Sequence, residues 1–246
     1  AASDVYKRQK LTIATGQPAY EPWVMNDKPE SGEGYEAAVA YAVADKLGFK
    51  KSDVVWTRTA FDTAIAPGAK DWDFNIQQFG ITDERKKAVD FSSSYYNDSQ
   101  SVVVKKDSKF ANATKVSDLK DATVGVMVGT LAYDYAKANI KDDIQTFNDD
   151  AALAQALDAG QIDALVTSTV ECVYMVQSEQ VKDAKVLGRL PDSEDKSGMG
   201  IVLPKDSKLT AAVTKAVDDL NADGTIKKLQ DKWLAEYTTD LTELKK

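Results

Sequence analysis

Gly129 and Thr130 immediately precede a predicted helix, LAYDYAKANI, that begins at Leu131. The first amide groups of a helix have no partner within the helix and lie at the positive end of its dipole, so such a terminus can bind an anion. Thr130 also fits an ordinary helix cap, which alone explains a threonine at this position. The pattern is therefore compatible with a carboxylate-binding site but does not identify a ligand.

The residue types on which most enzymes and metal sites depend are scarce. The chain has no histidine and a single cysteine, Cys172. Zinc sites and serine–histidine or cysteine–histidine hydrolase schemes are therefore excluded, and no disulfide can form within the chain. Cys172 lies beside an apolar residue and is predicted to be a packed core residue. The acidic pairs do not follow the spacing of a calcium loop, so we expect no metal and no cofactor.

The first hundred residues alternate between strand-like and helix-like segments. KLTIA (residues 10–14) reads as a buried strand, and a loop rich in glycine and proline follows it. Residues 35–47 have apolar residues at helical spacing and end before Gly48, a natural helix stop. VVWT (54–57), a helix near 61–66 and DFNIQQF (73–79) continue the alternation. Such alternation indicates parallel βαβ units and hence one α/β lobe.

A second alternating series begins after SQSVVVKK (99–106) and ends near the polar run at 191–197. GMGIVLPK then reads as a strand, and residues 208–236 as two amphipathic helices broken at Asp223-Gly224. Because chain termini usually pack close together, we expect the C-terminal helices to return to the first lobe. The predicted division is lobe 1 at residues 1–100 and 198–246 and lobe 2 at 104–195. Two crossings, near 99–104 and 196–201, form the hinge.

Charge and hydropathy narrow the choice of partner. The chain has 246 residues, 43% of them hydrophobic, which is enough for a full core. Its formal charge of −8 disfavours nucleic acid and anionic lipid. No apolar run approaches the length of a membrane span, and the first residues lack the apolar core of a signal peptide. If the protein is exported, we expect a signal or anchor to have been removed.

The segment ITDERKKAVDFSSSYY (81–96), with Gln100 and VVVKK after it, resembles the polar amino-acid solute-binding proteins of bacterial ABC transporters. The resemblance extends to further segments in the same order along nearly the whole chain: AYEPW, GVMVGTLAYDYA, LDAGQIDALV and GMGIVLPKDS. It implies the two-lobed periplasmic-binding-protein fold, an α/β class in which each lobe is a mostly parallel sheet flanked by helices and two strands form the hinge. The ligand then lies between the closing lobes.

The resemblance also implies a set of binding residues. An arginine, here Arg85, and the start of a second-lobe helix, here Thr130 and Leu131, hold the α-carboxylate of the ligand. The planar fork of arginine can make two parallel charge-assisted hydrogen bonds to a carboxylate, which lysine cannot reproduce. Thr82 caps the helix that carries Arg85. Tyr20 and Phe61 occupy the aromatic positions that cover the ligand side chain.

This chain departs from the family pattern where the ligand ammonium is expected. The second-lobe strand of the family usually ends with an aspartate, but this chain has Ser168 there. The first-lobe loop, where the family has small hydroxyl residues, reads Gln77, Gln78, Phe79 and Gly80. A buried ammonium without a counter-ion costs several kcal/mol, roughly, so the change affects recognition.

Three explanations remain open. Glu171 supplies the missing charge, although it also fits a solvated glutamate in the first turn of a helix. Alternatively, the ligand has no α-ammonium there, and Ser168 with the two glutamines hydrogen-bonds a neutral group. Thirdly, the protein resembles the cyclohexadienyl dehydratases of the same fold, with Glu171 as general acid.

The sequence thus predicts a binding protein and not an enzyme: an extracytoplasmic monomer that captures an amino acid or related carboxylate and delivers it to an ABC transporter permease. It is expected in the periplasm, or as a membrane-anchored lipoprotein where the host has no outer membrane. The alternatives are the dehydratase and a sensory module that signals through closure.

Overall fold

The computed structural model describes residues 6, 8–238 and 241–246, which divide into two compact units. The first unit comprises the described residues up to Asn97 together with Lys196–Ala235, and the second comprises Asp98–Asp195 with Glu236–Lys246. The divisions at 97/98 and 195/196 lie just before the two crossings that were expected near 99–104 and 196–201. Strand β5 (Gln100–Lys105) belongs to the second unit and β10 (Met199–Pro204) to the first.

The first unit contains a five-stranded sheet in the order β2-β1-β3-β10-β4. Its remaining strands are β1 (Leu11–Gly16), β2 (Val54–Thr59), β3 (Phe74–Asn75) and β4 (Val89–Tyr96). β1 pairs in parallel with β2 and β3, and β10 runs antiparallel between β3 and β4. Four of the five strands therefore share one direction. The helices of this unit are α1 (Tyr35–Lys46), α2 (Phe61–Ile65), α3 (Asp83–Lys86), α7 (Thr210–Ala222) and α8 (Thr225–Trp233).

The second unit repeats this arrangement in the order β7-β6-β8-β5-β9. The strands other than β5 are β6 (Val124–Met127), β7 (Ile144–Phe147), β8 (Ala164–Ser168) and β9 (Ala184–Arg189). β6 pairs in parallel with β7 and β8, whereas β5 is antiparallel to β8 and β9. The helices are α4 (Leu131–Asn139), α5 (Asp150–Asp158) and α6 (Thr169–Gln177). Two mostly parallel sheets flanked by helices confirm the predicted fold class.

Glycines end or separate helices where the sequence predicted them to. Gly48 follows α1 with φ 88°, and its amide donates to the Asp45 carbonyl at 2.9 Å. Gly224, with φ 81°, separates α7 from α8. A side chain at such φ values is disfavoured by contact of Cβ with the backbone, so glycine is the residue that fits.

The structure departs from the sequence analysis at two places. DFNIQQF was expected to be a strand, but only Phe74–Asn75 pair, and residues 76–82 leave the sheet as a loop. Residues 236–246 were expected with the first lobe, whereas the described residues of this stretch, 236–238 and 241–246, lie in the second unit. Lys245 bridges to Lys115, Glu243 bridges to Arg189, and Leu244 is buried in the second-unit core. The chain therefore passes between the units a third time, after Ala235. No helix among the described residues is long and apolar enough to cross a membrane.

Candidate functional site

The predicted binding residues of the first unit lie after the carboxyl ends of its three parallel strands. β1 ends at Gly16 and leads into the loop that carries Tyr20, and β2 ends two residues before Phe61. β3 leads directly into the loop of residues 76–82. In open α/β sheets, ligands bind outside the carboxyl ends of the strands. We call this edge, with Tyr20, Phe61, Gln77, Gln78, Gly80, Thr82 and Arg85, the first half-site.

Arg85 is held by the loop from which its helix begins. Thr82 is the N-cap of α3, and its Oγ1 accepts from the Arg85 amide at 3.1 Å, as expected for a cap. The Arg85 Nη1 donates to the Gly80 carbonyl at 2.7 Å. Gly80 itself is buried and bridges to Met199 on β10. Arg85 is therefore held by the loop through both its backbone and its side chain, and Gly80 connects this loop to the sheet.

Phe61 contacts both the arginine and the loop. The Arg85 guanidinium carbon lies 5.4 Å from the centroid of the Phe61 ring, within the range of a cation–π interaction. The Phe61 ring also stacks on the ring of buried Phe79, with 4.7 Å between the two centroids. Four of the predicted residues, Phe61, Gly80, Thr82 and Arg85, are thus brought into contact. Tyr20, half-buried after β1, lies on the same edge of the sheet.

The two glutamines adopt different environments. The Gln77 amide packs so closely over Gly16 that a Cβ there would lie 2.8 Å from Nε2. The Gln77 Oε1 is buried and accepts no hydrogen bond within the described part of the chain. Gln78 is half-buried, has a left-handed backbone (φ 50°), and donates through its amide to Glu36 Oε1 at 2.8 Å. Its side-chain Nε2 donates to Glu36 Oε2.

Glu36 was not recognised in the sequence. Glu36 occupies the first turn of α1, where an acidic residue interacts favourably with the helix dipole. Its position in the sequence therefore does not indicate any further role. In the structure it is fully buried, and it accepts a third hydrogen bond from the Tyr95 hydroxyl. Burial raises the pKa of Glu36 to about 7, while the hydrogen bonds from Tyr95 and Gln78 oppose that shift.

The second unit presents its predicted residues at the equivalent edge, after the parallel strands β6 and β8. Thr130 caps α4: its Oγ1 accepts from the Tyr133 amide at 3.3 Å and donates to the Met127 carbonyl at 2.8 Å. Leu131 is the first residue of α4 and is half-buried. Gly129 has φ 74°, which lets the chain turn from the loop into the helix. The amide groups at this helix start form a surface that suits a carboxylate.

Ser168 ends β8 and caps α6, with its Oγ accepting from the Glu171 amide at 3.3 Å. Glu171 was expected either to supply charge to the ligand or to be solvated, and the structure excludes the second possibility because the residue is only 3% exposed.

Cys172 is fully buried, as predicted, and burial raises the pKa of its thiol well above the usual value. The carboxyl groups of Glu171, Asp98 and Asp150 add to that shift.

Asp98 is a second residue that sequence reasoning missed. It lies within the polar run NDSQ, which resembles a solvated loop. The structure buries it to 6% exposure and places its carboxylate at the start of α6. The Ser99 amide donates to Asp98 Oδ1 at 2.7 Å. Burial raises the pKa of Asp98 to about 6, and its contacts with the Ser168 hydroxyl and the amides of Thr169 and Val170 oppose the increase. A carboxyl group therefore lies beside Ser168, where the family pattern has an aspartate.

The second half-site is defined by Asp98, Thr130, Leu131, Ser168 and Glu171. It combines one helix start that suits an anion with carboxyl groups that suit a cation. The first half-site likewise combines a cationic group, Arg85, with the side-chain amides of two half-buried glutamines. Each half-site can therefore bind a solute with both a negative and a positive or hydrogen-donating group, as in an amino acid.

Comparison with known proteins places the chain among binding proteins. Residues 11–236 match the family described as bacterial extracellular solute-binding proteins, family 3. The L-cystine-binding protein TcyJ of Escherichia coli (strain K12) is 29% identical over 236 residues, which cover 94% of this chain and 86% of that protein.

Two solved structures are similar over nearly their full length. An ancestral arginine-binding protein bound to arginine has a TM-score of 0.78 and 31% identity, covering 93% of this chain and 99% of that one. The ancestral amino acid-binding protein AncCDT-1, a precursor of cyclohexadienyl dehydratase, has a TM-score of 0.79 and 29% identity, covering 95% and 99% of the two chains.

Proposed function

We propose that this chain, which belongs to the bacterial extracellular solute-binding proteins, family 3, captures a small polar carboxylate, most simply an amino acid, for import. In the bound state one solute contacts both half-sites. A transporter permease then distinguishes loaded from empty protein, because a ligand that contacts both units favours the closed state over the open one.

The observation that carries the proposal is the environment of Arg85. Its guanidinium lies over the Phe61 ring at 5.4 Å and is attached to Gly80, after the carboxyl ends of parallel strands. Because these contacts already hold the planar guanidinium in place, it can bind a carboxylate in bidentate fashion and loses little side-chain freedom on binding. Thr130 and the amide of Leu131 provide a second set of donors for the same carboxylate.

The second unit holds carboxyl groups that can attract the positively charged end of the solute. Asp98 and Glu171 are both buried beside the start of α6, where Ser168 replaces the aspartate of the family pattern. We infer that the chain has moved this negative charge to neighbouring positions and has not lost it. An amino acid with an α-ammonium group therefore remains a suitable ligand.

Thermal unfolding with a panel of L-amino acids and their deaminated analogues tests the proposal. A ligand that binds only the folded protein raises the unfolding midpoint, by an amount that corresponds to about 2.7 kcal/mol at one hundred times its Kd. L-Arginine and L-cystine are included because the similar ancestral arginine-binding protein and TcyJ are described as binding these solutes. A midpoint that no member of the panel raises, at millimolar concentration, would refute the assignment.

The Arg85→Ala variant tests the site itself. We expect it to lower affinity at least about 30-fold, since truncating one partner of a buried charge pair costs about 2–5 kcal/mol. Lys87→Ala is the matched control: Lys87 is the residue after the same short helix, is exposed, and pairs with Glu84 at the surface. Equal effects of the two substitutions, or unchanged affinity in Arg85→Ala, would contradict the role of Arg85.

The same panel and an activity assay separate this proposal from the alternatives. A response restricted to solutes without an α-ammonium group would point to changed specificity at Ser168. Turnover of prephenate or arogenate that disappears in Glu171→Gln would favour the dehydratase. Delivery to a permease, a monomeric state and an extracytoplasmic location belong to the proposal, and transport assays with the permease, gel filtration and cell fractionation test them.

A further inference from the structure

The loop that carries the two glutamines rests on a fully buried carboxylate. Glu36 Oε1 accepts from the Gln78 amide at 2.8 Å and from the Tyr95 hydroxyl, and Glu36 Oε2 accepts from Gln78 Nε2. Gln78 thus donates to both oxygens of one carboxylate through groups of its own backbone and side chain. The arrangement connects α1, β4 and the loop within the first unit.

These bonds determine the conformation of Gln78. Its φ of 50° lies in the left-handed region, which costs an L-residue about 1–2 kcal/mol. The two hydrogen bonds to Glu36 are charge-assisted when the carboxylate is ionised and offset that cost. Without these two hydrogen bonds, the conformational cost of the left-handed backbone at Gln78 is not offset.

The bonds also orient the Gln78 amide. Because Nε2 faces an acceptor, Oε1 must be the atom on the opposite side of the amide. No donor among the described residues reaches this Oε1, and the side chain is half-buried at the edge where the first half-site lies. A solute that contacts this amide on the side opposite Glu36 therefore meets a hydrogen-bond acceptor, and not a donor.

We propose that Glu36 is a positioning residue that fixes Gln78 as an acceptor and so selects a solute with a positively charged N–H donor, an ammonium or guanidinium group, at this part of the site. The inference rests on the proposed function and narrows its substrate class. Glu36 does not touch the solute. It acts through the direction in which it holds the amide.

The ionisation of Glu36 controls that direction. Within the described contacts, the titratable side chains against Glu36 are Tyr95, which donates to it, and Tyr35, whose hydroxyl donates to the Tyr95 carbonyl and accepts from Gln230. Burial raises the pKa of both phenols, so they stay neutral. Protonated Glu36 can donate to Gln78 Oε1 and permits the amide to turn over. The acceptor then becomes a donor.

The Glu36→Gln variant imposes the turned-over amide at every pH. Its carbonyl oxygen can keep the bonds from the Gln78 amide and Tyr95, while its new NH₂ group meets the Gln78 side chain and requires that amide to reverse. The network keeps its size and its number of bonds. We therefore expect the variant to fold and to lose selectivity.

The test compares L-arginine with L-citrulline, in which a neutral ureido group replaces the guanidinium. In the wild-type protein at pH 8, calorimetry should give tighter binding of arginine. In Glu36→Gln the ratio of the two Kd values should fall about 10- to 100-fold, because a charge-assisted hydrogen bond becomes a contact between two donors. The wild-type ratio should also fall from pH 8 to pH 5.5, and that of Glu36→Gln should not.

Two further variants separate positioning from general damage. Tyr95→Phe removes one hydrogen bond from the same network but leaves Glu36 and Gln78 paired. Because the loss of this donor raises the pKa of Glu36 further, the comparison is made well above neutral pH, where the Kd ratio should be unchanged. Glu36→Gln/Gln78→Glu exchanges the two side chains, returns an acceptor to position 78, and should restore the preference for arginine. An unchanged ratio in Glu36→Gln, or a double variant that fails to restore it, overturns the proposal.

Nuclear magnetic resonance of the ligand-free protein distinguishes the two possible failures. The side-chain NH₂ signals of Gln78 should titrate near neutral pH in the wild type and should not titrate in Glu36→Gln. If they do not titrate in the wild type, the proposal about Glu36 is wrong whatever the protein binds. If they titrate but wild type binds neither solute, the selection of a cationic solute is wrong, whereas the proposed function fails only if no other member of the amino-acid panel binds.

Discussion

The stability of the protein should depend on pH through Glu36 in a direction that the structure defines. Burial raises the pKa of this carboxyl from 4.5 to about 7, although three hydrogen bonds favour its charged form. Between these pH values the folded protein holds the Glu36 proton, whereas the unfolded chain has released it. The folded state therefore binds more protons, and the free energy of unfolding falls as pH rises.

The size of the effect follows from the two pKa values. A shift of one pKa unit corresponds to about 1.4 kcal/mol, so the ionisation of Glu36 lowers the free energy of unfolding by about 3 kcal/mol in total. This loss is absent below pH 4.5 and complete above pH 7. Over the accessible range from pH 5.5 to 8.5, we expect about 2 kcal/mol of this loss. Glu36→Gln has no group to titrate, so its stability relative to wild type should increase by this amount across the range.

Urea unfolding of both proteins at several pH values measures the difference, since the midpoint and slope give the free energy of unfolding. Asp98 and Asp150, whose pKa values burial also raises, are present in both proteins and cancel in the comparison. A difference that does not vary with pH would refute the reasoning. A difference of the opposite sign would mean that the three donors outweigh burial and lower the pKa of Glu36 below 4.5.

Three further predictions concern other residues. Arg85→Lys should lower affinity for a carboxylate solute nearly as much as Arg85→Ala in calorimetry, because an ammonium cannot bind in bidentate fashion; wild-type affinity would contradict the proposed geometry. Thr130→Ala should cost about 1 kcal/mol in urea unfolding through loss of the α4 cap, and Thr130→Ser should recover most of that loss. Gly198→Ala should destabilise by about 2 kcal/mol or more, because φ is 74° and a Cβ would lie 1.9 Å from Ser94 Oγ and 2.9 Å from the Tyr96 carbonyl. Gly224→Ala, at φ 81° with open space around it, is the matched control and should cost about 1 kcal/mol.

Much of the fold could be predicted because its signals are local. Apolar strands alternate with helices along short segments of the chain. Thr82 and Thr130 cap helices as their patterns predict, and glycines follow α1 and α7. The short β3 was less predictable. DFNIQQF has the composition of a strand, but Gln78 leaves the sheet to pair with Glu36, which is 42 residues away in sequence.

The final residues illustrate a second limit. Nothing local in the sequence of residues 236–246 indicates which unit they join, since among the described residues of this stretch the second-unit core buries one strongly apolar side chain, Leu244. The bridges from Lys245 to Lys115 and from Glu243 to Arg189 are backbone pairings. Backbone pairing does not depend strongly on residue type, so a sequence pattern carries little information about it.

Glu36 and Asp98 were missed for a common physical reason. Each has an ordinary local explanation, a first-turn acid for Glu36 and a loop acid for Asp98, and each is exceptional only because distant segments bury it. A buried carboxylate needs donors to compensate for lost water, and those donors come from the loop at Gln78 and from the start of α6. The residues that we propose contact a solute could therefore be inferred by resemblance, whereas the residues that hold them in place depend on packing between segments far apart in the chain.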